Sequence, residues 1–139
     1  MNDLTEDQQL HLAKDVAHIA HSGQFRRDRV TPYIQHVHDV VLRSDSTVEK
    51  IVAYLHDVIE ESSHTVESLL NMGFSIEVVG AVDSVTKKEG ESYHNFVSRA
   101  RRNIIGRKVK LHDIMSNLSD DPTNRQILKY AKALTNLLG

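Results

Sequence analysis

A chain of 139 residues with 40% apolar and 26% charged side chains is long enough to bury a core and too apolar to be disordered. No apolar run approaches the roughly 20 residues of a bilayer span, and the polar, acidic start (Asn2, Asp3, Glu6, Asp7) does not read as a secretory leader. A net charge of −2 gives no electrostatic case for nucleic acid as a partner. The absence of cysteine fits a cytoplasmic protein and restricts any transition-metal site to imidazole and carboxylate, of which nine histidines are the conspicuous part.

The predicted elements are helices throughout. Thr5 and Gln8 form a capping box ahead of Leu12, Val16, Ile19 and Ala20 at helical spacing, and Gly23 stops that helix. A polar arginine-bearing stretch, Gln24 to Thr31, leads to Pro32 in a first turn and a helix through Leu42. Ser46 and Glu49 make a second capping box for a helix carrying Ile51, Val52, Leu55, Val58 and Ile59, expected to run on to Ser62–Ser63. Thr65 caps a short helix closed by Gly73, and Ser75 starts another through Val85. After a turn at Lys87–Gly90, Tyr93–Arg102 reads as an exposed basic helix. Ile104–Leu118 is helical but interrupted by Gly106, and Asp121–Pro122 is the expected N-cap and first turn of the last helix. The expectation is an all-α fold.

Three His-Asp dipeptides occur: His38–Asp39, His56–Asp57 and His112–Asp113. Neighbouring side chains on a helix diverge by about 100°, so such a pair can share one ion only at the common edge of their arcs, with ligands added from other helices. His56–Asp57 is set among apolar residues, where a buried carboxylate and imidazole need a cation or hydrogen bonds. Asp113 in Val109–Asp113 repeats the theme, and His36 can approach from a third direction. Two imidazoles with two carboxylates suit Mn, Fe, Co or Zn better than Mg or Ca. Each piece alone also fits a plain structural role: His36 satisfied by a carbonyl, His56–Asp57 as an ordinary pair, Asp113 bridged to Lys110. For His18, His21, His64 and His94 a surface or core-satisfied role is the better reading, with His38 and His112 between the two.

Five blocks in order resemble the HD-domain phosphohydrolases, and among them the small alarmone hydrolases related to the hydrolase half of RelA/SpoT proteins. They are Ala20-His21-Ser22-Gly23-Gln24-Phe25-Arg26-Arg27, Thr31 to His36, Leu55-His56-Asp57-Val58-Ile59-Glu60-Glu61, Val82 to Lys87, and Val109 to Asp113 with Asn117. The resemblance implies one HD-type domain over residues 1–139, with His36, His56, Asp57 and Asp113 as metal ligands. It implies Glu60 and Glu61 as the acidic pair acting on water, and Arg26 or Arg27, Lys110 and Asn117 as substrate-side residues. The implied ion is one Mn²⁺, with Fe²⁺, Co²⁺, Ni²⁺ or Zn²⁺ as substitutes. The implied activity is hydrolysis of a nucleotide such as guanosine 3′,5′-bis(diphosphate). A nucleotidase or pyrophosphatase of other specificity, or a non-catalytic metal or nucleotide sensor, are the alternatives, and a homodimer is left open.

Departures from the family pattern bear on the substrate. Glu61 stands where Asp is common, and the arginine loop is one residue longer. Ile114-Met115-Ser116-Asn117 replaces Arg-Leu-His-Asn, and Asp120 replaces an expected threonine.

Overall fold

Along residues 4–139, the part of the chain the computed structural model describes, nine helical segments follow one another. Asn2 and Asp3 of the acidic start lie outside the described residues. The segments are α1 (Glu6–Ala20), α2 (Ile34–Leu42), α3 (Thr47–Leu55), α4 (Val58–Glu61), α5 (Val66–Met72), α6 (Ile76–Ser84), α7 (Tyr93–Arg101), α8 (Ile104–Leu118) and α9 (Asn124–Leu138). Among the described residues no strand forms beyond an isolated Phe25–Pro32 bridge, and no helix is long and apolar enough to cross a membrane. The all-α expectation holds.

Hydroxyl caps start the helices at Thr5, Ser46, Thr65 and Ser75, where the sequence places them. Gly73 closes α5 in the left-handed conformation, φ +109°. At Ser46 the box is looser than expected, because the Glu49 carboxylate reaches the Asp45 N–H and the Ser46 hydroxyl rather than the Ser46 amide.

Four expectations need correction. The helix predicted from Ser46 to Ser62 breaks at His56–Asp57 into α3 and α4. Asp121 does not cap α9; it adopts φ +47°, and Thr123 caps that helix with Gln126 completing a box. The Tyr93–Arg102 helix is not simply exposed, since Phe96, Val97 and Ala100 are buried. Gly106 does not interrupt α8, because Asn103 caps it and the helix runs through.

α3 is the centre of the fold. Every residue from Ile51 to Leu55 is buried, and α1, α2, α6 and α8 pack around it. The main core draws on α1 to α6 with Val109 and Ala100. A smaller cluster of Val97, Ile114, Tyr130, Ala133 and Leu137 joins α7, α8 and α9. α8 contributes to both, so a residue on α8 facing α2 and α3 is sandwiched between the two cores.

Gly106 is where α8 closes on α6. A Cβ there would lie 2.0 Å from Ser84 Oγ and 3.3 Å from Ser84 Cβ, and that hydroxyl is engaged with the Ala81 carbonyl at 2.6 Å. Alanine for glycine inside a helix ordinarily stabilises; here the overlap reverses the sign. Gly106→Ala should cost about 1–3 kcal/mol in urea denaturation, with part recovered in Gly106→Ala/Ser84→Ala.

Arg99 organises the turn between α6 and α7. Its guanidinium donates to both Glu91 carboxylate oxygens at 2.9 Å, and to the Asp83 and Thr86 carbonyls at 2.7 Å. The Arg99 hydrogen bonds hold the Glu91 carboxyl down at about 2, below its ordinary 4.5. The stabilisation is therefore complete above the ordinary value and is lost as the pH falls toward about 2. Wild-type protein should lose more stability than Glu91→Gln when chemical denaturation is compared between about pH 5 and pH 2.5.

Candidate metal centre

At the C-terminal end of α3 the His56 ring turns back on its own helix. Its Nδ1–H donates to the Ala53 carbonyl at 2.6 Å, the carbonyl that residue 57 would use in an uninterrupted helix. The break that follows brings the two neighbours together, with His56 Nε2 3.0 Å from Asp57 Oδ2. α2 supplies His36 and α8 supplies Asp113. His36 Nε2 is 2.9 Å from Asp113 Oδ1 and 4.0 Å from Asp57 Oδ2, and His56 Nε2 is 3.4 Å from Asp113 Oδ1. One ligand atom from each of the four residues lies within 4.8 Å of all the others.

This donor set fits a divalent cation. Donors held about 2.0–2.2 Å from one ion in a tetrahedral shell stand roughly 3.3–3.6 Å apart; the closer pairs here lie at 2.9–3.4 Å and His36 to Asp57 at 4.0 Å. With Nδ1–H committed to Ala53, a neutral His56 directs its Nε2 lone pair at two carboxylates. That buried nitrogen makes no aligned hydrogen bond, so only a proton or a cation relieves the contact. Burial opposes a proton there, but Asp57 and Asp113 lift His56 well above its ordinary value. Two imidazoles and two carboxylates match the preferences of Mn, Fe, Co, Ni or Zn.

Further residues orient the ligands. Ser116 Oγ lies 3.0 Å from His36 Nδ1, leaving Nε2 to face the site. Tyr33 donates its hydroxyl to Asp57 Oδ2; burial and then the Asp57 charge push its own ionisation well above the usual range. Lys110, buried, donates from Nζ to Asp113 Oδ2 at 2.9 Å, with its charge over the Phe96 ring at 4.6 Å. Tyr33 and Ser116 escaped the sequence reading, since a tyrosine and a serine carry no spacing signature. Their positions within the Thr31–His36 and Ile114–Asn117 blocks were the available hint.

The remaining expected residues surround the cluster unevenly. Glu60 and Glu61 lie on α4, directly after Asp57. Glu60 Oε1 accepts from the Lys87 N–H at 2.8 Å, and partial desolvation together with Asp57 raises its carboxyl above the ordinary value. The Glu61 carbonyl is held by Gln24 Nε2 at 2.9 Å. Arg26 donates to Asp120 at 2.6 Å and Asn117 at 3.1 Å, and Asn117 in turn approaches Asp113 at 3.5 Å. Arg27 points to the start of α9, donating to Gln126 and the Asp121 carbonyl, each at 2.6 Å.

Of the three His-Asp dipeptides, only His56–Asp57 contributes both members to the cluster. His112 is half-buried away from it with Nδ1 unpartnered, and His64 Nδ1 lies 3.2 Å from the Ser68 hydroxyl. Among the described residues no second group of three or more ligands forms.

No protein-family model and no curated protein matches the chain. A solved structure does: that of a metazoan ortholog of SpoT, a protein that hydrolyses ppGpp and plays a role in starvation responses. It superposes with a TM-score of 0.81 over 94% of this chain and 86% of that chain, at 23% sequence identity. The chain shares the all-helical fold of that structure. Within that fold, Ser116 is expected to tune the metal by fixing the His36 tautomer. Ser116→Ala should lower divalent-cation affinity by about 10–100-fold in calorimetric titration while leaving the fold intact, whereas His56→Ala should remove tight binding.

Proposed function

We propose that the chain is an HD-type metal-dependent phosphohydrolase acting on a nucleotide. The observation carrying this reading is the convergence of His36, His56, Asp57 and Asp113 beside the α4 carboxylates, on a fold shared with a ppGpp hydrolase. A bound divalent ion, Mn²⁺ in this proposal, supplies a water of lowered pKa and polarises a phosphoryl oxygen.

The chain's own residues do the rest. His36 and His56, each with its far nitrogen hydrogen-bonded, keep an Nε2 directed inward. Glu60, raised in pKa and fixed through one oxygen by the Lys87 amide, is positioned to take a proton from water with the other. Glu61 extends from the same turn as the second carboxylate. Arg26 and Asn117 form the substrate side, where a guanidinium offers a fork for phosphate oxygens. Lys110 acts through Asp113, whose charge it balances.

Guanosine 3′,5′-bis(diphosphate), losing its 3′-pyrophosphate, is the first substrate to test. A nucleotide with another phosphate pattern is the second reading, favoured by one observation: Arg26 is already neutralised by Asp120 at 2.6 Å, so a phosphate must displace a carboxylate to reach it. Asp120→Thr should therefore raise kcat/KM for the bis(diphosphate) if that is the substrate, and leave it unchanged if Arg26 takes no part.

The deciding assay is phosphate or pyrophosphate release from a panel of nucleotides with Mn²⁺. Glu60→Gln should retain the metal and lose about 10²–10⁴-fold in kcat. A metal-loaded wild type that binds one nucleotide tightly and turns none over would replace the enzyme reading with that of a sensor.

A further inference from the structure

A second pair of histidines meets outside the metal centre. His18, in the last turn of α1, and His38, on α2, face each other with Nε2 to Nε2 at 3.2 Å, ring centroids 5.1 Å apart and planes inclined by 54°. His38 follows His36 by two residues, about 200° around the helix, so it looks away from the buried cluster toward the surface.

The pair is held rather than accidental. α1 and α2 both pack on α3 through buried Ala13, Val16, Ala17, Val37 and Val41, which fixes the spacing of the two backbones. The Tyr54 ring meets His38 edge-on at 6.1 Å and backs its orientation. Two N–H groups cannot point at each other across 3.2 Å, so at least one ring already presents a lone pair to the gap. Two imidazole nitrogens bound tetrahedrally to one ion at about 2.0–2.1 Å would stand roughly 3.3–3.4 Å apart, close to the observed separation.

We propose that His18 and His38 form a surface site for a borderline divalent cation such as Zn²⁺, bridging α1 to α2 with water completing the shell. With no carboxylate in the pair, the site favours Zn²⁺, Ni²⁺ or Cu²⁺ over the harder Mn²⁺, which the two carboxylates of the buried centre accommodate. Lys14, one turn before His18 and close enough to act on His38, opposes a cation there and weakens the site.

Zn²⁺ content and thermal stability test this on the whole chain. Wild-type protein should take up two equivalents of Zn²⁺ and melt at higher temperature as the second binds. His18→Ala and His38→Ala should each lose the second equivalent and its thermal shift, with unchanged circular dichroism. His56→Ala should keep that equivalent while losing the buried one, so failure at either site is read separately. Lys14→Gln should tighten the second binding event. Equal Zn²⁺ uptake and equal thermal shift in wild type, His18→Ala and His38→Ala would overturn the proposal.

Discussion

The hydrogen bond from the His56 ring to the Ala53 carbonyl is the constraint on which the candidate centre depends. It occupies an acceptor that an unbroken helix would give to residue 57, so α3 ends at Leu55 and α4 begins at Val58, after the two residues His56 and Asp57. A continuous helix would splay His56 and Asp57 by about 100°. The break instead sets their ligand atoms 3.0 Å apart. It also fixes which ring nitrogen carries the proton, so the same bond that ends the helix selects the nitrogen facing the ligands.

Burying two carboxylates and two imidazoles is costly unless charge and hydrogen bonds are matched. The structure matches them from several directions: Lys110 on Asp113, the Tyr33 hydroxyl on Asp57, and Ser116 on His36. Asp39 belongs to the same economy. Partial burial would raise its carboxyl, but the Ser116 hydroxyl and Arg43 hold it below its ordinary value. The His38–Asp39 dipeptide thus sends its carboxylate toward the support of the centre and its imidazole toward His18 on the surface. Lys110 likewise spends its charge inside the cluster, cushioned by the Phe96 and Tyr93 rings.

Around this core the arginines act as ties between segments distant in sequence. Arg26 and Arg27 join the loop after α1 to the connection between α8 and α9, and Arg99 gathers the turn between α6 and α7. Loops anchored in this way hold the Asn117 and Glu60 sides of the cluster at fixed separation. The Lys87 amide that fixes Glu60 belongs to the turn that Arg99 secures.

The sequence by itself determined the helices that have local signals. Thr5, Ser46, Thr65 and Ser75 cap through contacts three residues away, and Gly73 closes α5 through its own backbone freedom. The four residues of the cluster were also legible, because histidine and aspartate among apolar neighbours demand a partner wherever they fold and because the ordered blocks that carry them resemble those of the HD-domain phosphohydrolases. What the sequence could not hold was anything decided across the core. The break at His56 depends on a ring rotamer, the need for glycine at 106 on the approach of Ser84, and the role of Arg99 on carbonyls from another helix. The partners of Arg26, more than 90 residues away, arise only when α8 and α9 return beside the first loop. Capping and burial are set by neighbours in the chain; tautomers, charge pairing and close approach are set by neighbours in space.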